Sequence, residues 1–266
     1  MEPRALLKTR YRVKLADKPD ADHWSGGPPT HRGATCPACK IPLLLLWDID
    51  CKDTRFPPRT FGPLSRLPLY FCWGCVGDLA YQIVDPHHIR IHPGDRRGGP
   101  NFPYDPYPEA FERRGLVLLE GVPDEILRIG RNLAARWEED GDGDDEAPIP
   151  TPTPDEQIIL NEFFGHPVTL PRCFFHHQLG GPGGHHGAEE LFDCPNPACA
   201  GGFVDRLRGR KRRMRFLAGV LNDPWGGLPL VEPADDETRR YWNYFVSVQY
   251  HICDCCWTVL GCNRAS

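Results

Sequence analysis

The sequence predicts an α+β fold of two similar sheet-centred lobes that arose by tandem duplication, and three observations lead to this prediction. Two cysteine pairs, Cys36-Pro-Ala-Cys39 and Cys72-Trp-Gly-Cys75, each lie beside a short apolar run. A second set of cysteine pairs with similar neighbours begins at Cys194. A Gly-Gly-Pro turn precedes each set, at residues 26–28 and 180–182. The same order of turn, cysteine pair, two strands and second cysteine pair therefore occurs twice.

Length and composition allow a large core and favour a fold rich in turns. The 266 residues exceed one typical domain. The 27 glycines and 29 prolines make up about a fifth of the chain, less than is typical of disorder. We expect a first lobe at 1–84, a connecting segment at 85–153 and a second lobe at 154–266.

Apolar runs define the predicted strands of the first lobe. Ile41–Asp50 and Leu67–Phe71 flank a proline-rich turn, and Leu79–Val84 follows the second cysteine pair. The alternation of Tyr11-Arg-Val-Lys-Leu15 predicts an edge strand. Residues from Asp85 to Tyr107 are expected to form a loop.

The spacing of the first two pairs predicts a metal site. Two residues between the cysteines of a pair let both thiolates face one point, and a hairpin brings the second pair opposite them. Buried apolar cysteines or disulfides are the alternatives, but two CxxC pairs beside strands favour Zn²⁺. A structural zinc site contributes about 10–16 kcal/mol of apparent binding free energy, against about 2–4 kcal/mol for a disulfide. The ion would therefore be part of the fold.

The second set of cysteines is spaced more loosely. Four residues separate Cys194 from Cys199, and fifty-three separate Cys199 from Cys253. Spacings of two to four residues within a pair still suit zinc. The strand Phe216–Asp223 is aligned with Leu43–Asp50 of the first lobe, so that Asp223 corresponds to the final Asp of that run.

Two adjacent cysteines, Cys255 and Cys256, are candidates for the fourth ligand of the second site. Spacing favours Cys256, with Cys262 and His251 as weaker substitutes. The prediction is two structural zinc ions per chain. The predicted metal ligands are Cys36, Cys39, Cys72, Cys75, Cys194, Cys199, Cys253 and Cys256.

The connecting segment is predicted to contain a strand, a helix and a linker. Gly115–Leu119 is the strand, and a helix opens at Pro123. Seven acids in the nine residues 138–146 indicate a solvated, Pro-rich linker. Thr153-Pro-Asp-Glu156 then has the pattern of a helix start, and that helix is expected to end at Gly165.

The cysteine pairs and their strands resemble the YwqG-like family of bacterial proteins of unknown function and, more distantly, the C-terminal region of programmed cell death protein 2. The shared features are the Gly-Gly-x-Pro turn, the C-P-x-C knuckle, a strand ending in Asp and a second strand that leads into a cysteine pair, over roughly residues 24–84 and 176–262. The resemblance implies an α+β, sheet-centred architecture. For the cell-death relative it also implies binding of a client ribosomal protein, and it implies no reaction.

A catalytic role finds little support in the sequence. Four thiolates close the coordination shell of zinc, whereas catalytic zinc keeps an open position. HExxH, GxSxG and P-loop motifs are absent. The alternative of a metal-dependent enzyme rests on a histidine cluster in glycine-rich surroundings. Its members are His176, His177, His185 and His186, with Glu189.

Nucleic-acid binding is the other alternative. The insert Arg206–Arg215 carries seven cations within ten residues, which suits phosphate neutralisation. The net charge of −5 and the acidic run at 138–146 oppose this interpretation, because that run could pair with the insert. A solvated loop is the simpler interpretation of the insert.

The predicted function is a non-catalytic, zinc-stabilised protein-interaction scaffold. The aromatic loop Phe102–Tyr107 suits anchor contacts with a protein partner, either a nascent client or a toxin to be neutralised. No signal-peptide core or membrane-length apolar run is found, so no membrane association is expected. Twelve cysteines, many in metal-like spacing, favour the reducing cytoplasm.

Overall fold

The computed structural model describes most of the predicted strands. The described residues are 6–92, 97–98, 107–121, 151–164, 177–181, 192–199, 212–222 and 246–264, with scattered positions at 123–136 and at 201, 228 and 230.

The described residues are dominated by β-strands. The strands are β1 (Arg10–Ala16), β2 (Trp24–Ser25), β3 (Leu44–Asp50), β4 (Arg66–Phe71), β5 (Cys75–Val76), β6 (Leu79–Asp85), β7 (His88–His92), β8 (Arg97–Gly98), β9 (Arg114–Glu120), β10 (Gln178–Gly180), β11 (Arg215–Leu221), β12 (Ser247–Ile252) and β13 (Thr258–Arg264). Helix α1 spans Pro154–Phe164.

One curved antiparallel sheet contains strands from both predicted lobes. Its order is β4-β3-β2-β9-β1-β10-β11-β12-β13-β6-β7, and it forms a half-barrel, while β5 and β8 pair separately. The prediction of two sheet-centred lobes is therefore met only in part, because the sheet is continuous. The continuity arises at the centre, where β9 pairs with β2 of the first predicted lobe and β1 pairs with β10 of the second.

Two local predictions were wrong. β1 was expected at an edge, but it lies inside the sheet, between β9 and β10. Its side chains Tyr11 and Val13 are buried, which explains their alternation with charged residues. The expected loop after Asp85 instead contains β7, a hairpin partner of β6.

The register of β3 and β11 is irregular at one matching place. A bulge interrupts the pairing of β3 with β4 between Leu45 and Trp47, and the pairing of β11 with β12 is interrupted between Phe216 and Ala218. Counted from these bulges, Asp50 corresponds to Leu221. The sequence alignment had matched Asp50 with Asp223, which lies two residues beyond Leu221. It was wrong by two residues because it matched the two acids and ignored the strand register.

Some backbone groups of both outer strands of the sheet are hydrogen-bonded to other segments. The hydroxyl of Tyr81 on β6 donates to the carbonyl of Pro68 (2.6 Å) and accepts from the amide of Tyr70 (3.0 Å), both on β4. At the other edge, the amide of Ile89 on β7 donates to the carbonyl of Arg32 (3.0 Å). Satisfied edge groups do not offer a template for strand addition.

The Tyr81 hydroxyl provides a test of this closure. Tyr81→Phe should lower the free energy of unfolding by about 2–4 kcal/mol, because it leaves a buried amide and a buried carbonyl without partners. Urea unfolding at constant m-value measures the change. Tyr250→Phe is the matched control, since the equally buried Tyr250 hydroxyl has no hydrogen-bond partner among the described residues. An equal loss in both variants would contradict the bridging role.

A helical pair has its own small core. Described positions between 125 and 136 are helical, and Ile129 and Leu133 pack there with Leu160 of α1. The start of α1 is as predicted: the amide of Thr153 donates to Glu156 (2.9 Å), and the amide of Glu156 donates to Thr153 Oγ1 (3.3 Å). No helix in the described part of the chain has the length and apolarity needed to cross a membrane.

Candidate metal centres

The first four predicted cysteines lie together at the end of the β3–β4 hairpin. Their sulfur atoms all lie within 4.8 Å of one another. Sγ of Cys36 is 3.6 Å from Sγ of Cys75, and Sγ of Cys39 is 3.6 Å from Sγ of Cys72. Cys36, Cys72 and Cys75 are fully buried, so the group is enclosed by the fold.

The other four predicted cysteines form a second group at the end of the β11–β12 hairpin. Sγ of Cys194 is 3.5 Å from Sγ of Cys256, and Sγ of Cys199 is 3.7 Å from Sγ of Cys253. In both groups the first cysteine of the first pair thus faces the last cysteine of the second pair. The looser spacing of the second set does not prevent the same arrangement.

Each group has the geometry of a four-sulfur metal site. A tetrahedral ion with Zn–S bonds of about 2.3 Å requires sulfur atoms about 3.8 Å apart. Two sulfur pairs in each group are 3.5–3.7 Å apart, close to this value, and the other pairs lie within 4.8 Å. None of the eight cysteines forms a disulfide, and four thiolates suit soft cations. Each group could therefore hold one metal ion.

The turns that carry the first cysteine pairs are built alike. The amide of Cys36 donates to the carbonyl of Ile41 (2.9 Å), and the amide of Cys194 donates to the carbonyl of Arg212 (2.8 Å). Lys40 closes the first turn. Its amide donates to the carbonyl of Cys36 (3.0 Å), and its φ is 65°. A backbone hydrogen bond therefore fixes the first cysteine of each group.

Trp257 closes the second turn of the second group. Its amide donates to the carbonyl of Cys253 (2.9 Å), and its φ is 58°. The ring packs against Gly62, where a Cβ atom would overlap it. The second cysteine group is thereby attached to the loop between β3 and β4.

Crowding of the thiols shifts their pKa values in opposite directions. Burial opposes ionisation of Cys36, but hydrogen bonds from the amides of Cys39 and Ala38 lower its pKa to about 7. Burial and the neighbouring thiols raise the pKa of Cys75 to about 11. A bound cation would favour all four thiolates together and so relieve this conflict.

Polar neighbours of the sulfur atoms were not predicted. The hydroxyl of Thr258 lies 3.1 Å from Sγ of Cys256, and Asn196 Nδ2 donates to that hydroxyl (3.4 Å). Near the first group, the hydroxyl of Tyr107 accepts from the amide of Trp73 (3.3 Å). Such contacts orient metal ligands, but their residue types are too common for sequence alone to single them out.

The three alternative ligands of the second site lie outside the group of four. Cys255 is exposed, and its thiol is directed at the carboxylate of Asp254 (3.8 Å). Cys262 is buried next to the group without joining it. His251 packs against the rings of Phe192 and Phe216, and burial lowers its pKa to about 4.

The described part of the basic insert is paired with acids. Arg212 Nε lies 2.7 Å from Asp254 Oδ1, and Arg215 Nη2 lies 2.7 Å from Asp254 Oδ2. Arg213 is 3.4 Å from Asp193. Residues 206–211 of the insert, the acidic run 138–146 and the aromatic loop before Tyr107 lie outside the described residues.

Only one member of the predicted histidine cluster lies among the described residues. His177 is buried, and its Nδ1 accepts from the amide of Leu221 (3.2 Å). The other members, His176, His185, His186 and Glu189, lie outside the described residues.

His177 has a structural counterpart that the sequence analysis missed. Nδ1 of the buried His23 accepts from the amide of Asp50 (3.0 Å), at the position of β3 that matches Leu221 of β11. The carbonyl of His23 accepts from Leu116 (3.0 Å), as that of His177 accepts from Val13 (2.9 Å). Each histidine stands three residues before a Gly-Gly-Pro turn, so the pattern His-x-x-Gly-Gly-Pro was a signal for both.

The chain was also compared with known proteins. No family model, no curated protein and no solved structure matches it.

Proposed function

We propose that this protein is a non-catalytic interaction scaffold whose fold is held by two structural Zn²⁺ ions. The observation that carries the proposal is the pair of enclosed four-sulfur groups at the ends of two hairpins. Four thiolates would complete the shell of zinc and leave no position for a substrate. When bound, each ion would supply Lewis-acid charge that fixes four thiolates in one place, and the strands that carry them would be held together.

We further infer that the two halves arose by tandem duplication with exchange of their first strands. The matched bulges, the paired histidines and the common hydrogen bonds of the cysteine turns support this. At the centre of the sheet, β1 and β9 pair so that Lys14 faces Val117. A pseudo-twofold axis through that pair would relate β2 to β10, β3 to β11 and β4 to β12.

The alternative functions receive less support from the described residues. The buried His177 is hydrogen-bonded to the backbone and does not face an open cleft. Arg212, Arg213 and Arg215 already pair with Asp254 and Asp193, so phosphate would have to displace those carboxylates.

A protein partner is expected to use loops or helices. Strand addition would have to displace hydrogen bonds that already reach both outer strands. Among the described residues, Ile158 on α1 is the most exposed large apolar side chain, with 64% of its surface accessible, followed by Val84 with 43%. We propose α1 as part of the contact surface. Membership of the YwqG-like family and a cytoplasmic location remain parts of this proposal.

Affinity purification of the full, zinc-loaded chain tests the interaction role. We expect one protein to be recovered at a near-unit ratio and to be lost when the ions are removed by a chelator. Ile158→Glu should reduce that recovery at least several-fold without changing the unfolding midpoint, because an exposed side chain contributes little to the fold. Val84→Glu on β6, at the other exposed large apolar side chain of the described residues, is the matched control for added negative charge. Recovery of no protein would contradict the scaffold proposal.

A further inference from the structure

The second cysteine group has a fifth thiol at its rim. Cys255 lies between Cys253 and Cys256, and it is exposed. Its sulfur, the sulfur of Cys253 and a carboxylate oxygen of Asp254 all lie within 4.8 Å of one another. Cys253 therefore belongs to two donor groups, the enclosed group of four and an outer group that solvent reaches.

The first group shows what the position of Cys255 can contact. The equivalent third position of its second pair is Gly74, and a Cβ atom there would lie 3.2 Å from the sulfur of Cys39. A side chain at this position of the first group would contact the sulfur cluster, and in the second group the sulfur of Cys255 lies within 4.8 Å of the sulfur of Cys253. The first group has only a hydrogen atom there, and the preceding Trp73 is buried.

The outer turn of the second group is also held in place. Asp254 accepts from Arg212 through both carboxylate oxygens, at 2.7 and 2.8 Å, and Arg215 lies 2.7 Å from Oδ2. Because two arginines occupy that carboxylate, the thiol of Cys255 is the stronger metal donor of the outer turn. The two cysteine groups therefore differ at one position: the second group has an exposed thiol, Cys255, where the first has Gly74.

We propose that the second group is the exchangeable metal site of this protein and that Cys255 is the residue through which its ion enters and leaves. The inference rests on the proposed function, in which both groups hold Zn²⁺. The thiol of Cys255 would take over one coordination position from Cys194, Cys199 or Cys256 and would give its proton to the thiolate that it replaces. Cys253 would remain a ligand, and no electrons would be transferred. The exchange partner would be a thiol-rich or chelating ligand for soft cations.

Chelator competition on the zinc-loaded full chain tests this inference. A chromophoric zinc chelator in excess should remove the two ions in two phases of equal amplitude. Cys255→Gly, which copies the first site, should slow the faster phase at least about tenfold and leave both amplitudes and the slower phase unchanged. Cys255→Ser, which keeps the side-chain volume, should slow it similarly. Cys51→Ser removes a thiol that belongs to neither group of four and should change neither phase.

The outcomes separate this inference from the proposal on which it rests. One zinc ion per chain would overturn both. Two ions released at one common rate, or a faster phase unchanged in Cys255→Gly and Cys255→Ser, would overturn this inference alone. Circular dichroism of the loaded variants verifies that the fold is kept, so that a slower phase can be assigned to the missing thiol.

Discussion

Cys72→Ser is expected to remove one zinc ion and to lower the free energy of unfolding by at least about 5 kcal/mol. The estimate follows from the binding free energy of structural zinc, about 10–16 kcal/mol, part of which a three-thiolate site would keep. Cys72 is fully buried between β4 and the first cysteine pair. Because of this burial, an exposed loop cannot rearrange to supply a replacement for the lost sulfur ligand. Native mass spectrometry counts the ions, and urea unfolding measures the stability.

Cys51→Ser is the matched control for this variant. Cys51 follows β3, is partly buried, and its thiol is directed at the carbonyl of Ile49 (3.8 Å) outside both groups of four. Its replacement should leave two ions bound and change stability by about 1 kcal/mol or less. Retention of both ions by Cys72→Ser would contradict the assignment of Cys72 as a ligand.

Gly26→Ala should be among the most destabilising changes outside the cysteine groups. Gly26 has a φ of 67°, and a Cβ atom there would overlap the carbonyl oxygen of Glu112, which leads into β9. The amide of Gly27 also donates to the carbonyl of Phe111 (2.8 Å), so the turn cannot move away from the segment that precedes β9. We expect a loss of about 3–5 kcal/mol, measured by thermal or urea unfolding.

Gly121→Ala is the control that measures the cost of backbone strain without steric overlap of the added Cβ atom. Gly121 has a φ of 73°, but a Cβ atom there would have no neighbour within 4 Å. Its replacement should cost only the strain of the left-handed conformation, about 1–2 kcal/mol. Equal losses at Gly26 and Gly121 would show that the turn does not depend on its close approach to β9.

Local patterns predicted the elements on which the cysteines stand. The apolar runs around Leu44 and Leu69, and the pair spacing, depend on neighbours in sequence, so periodicity and ligand spacing were sufficient to find them. The same holds for α1, whose cap is formed by residues three positions apart.

Long-range pairing could not be predicted in this way. The pairing of β1 with β9 joins residues about a hundred positions apart, and the sequence of a buried interior strand does not differ from that of a buried edge strand. The histidines were missed for a different reason. His23 and His177 act through hydrogen bonds to the backbone of the neighbouring strand, and only the shared spacing to the Gly-Gly-Pro turns marks them.

Zinc K-edge X-ray absorption of the loaded full-length chain, combined with metal analysis, tests the central claim most directly. The proposal predicts two zinc ions per chain, each surrounded by four sulfur atoms at about 2.3 Å. An average shell that contains nitrogen or oxygen, or a single ion per chain, would contradict the claim that both cysteine groups are closed structural sites.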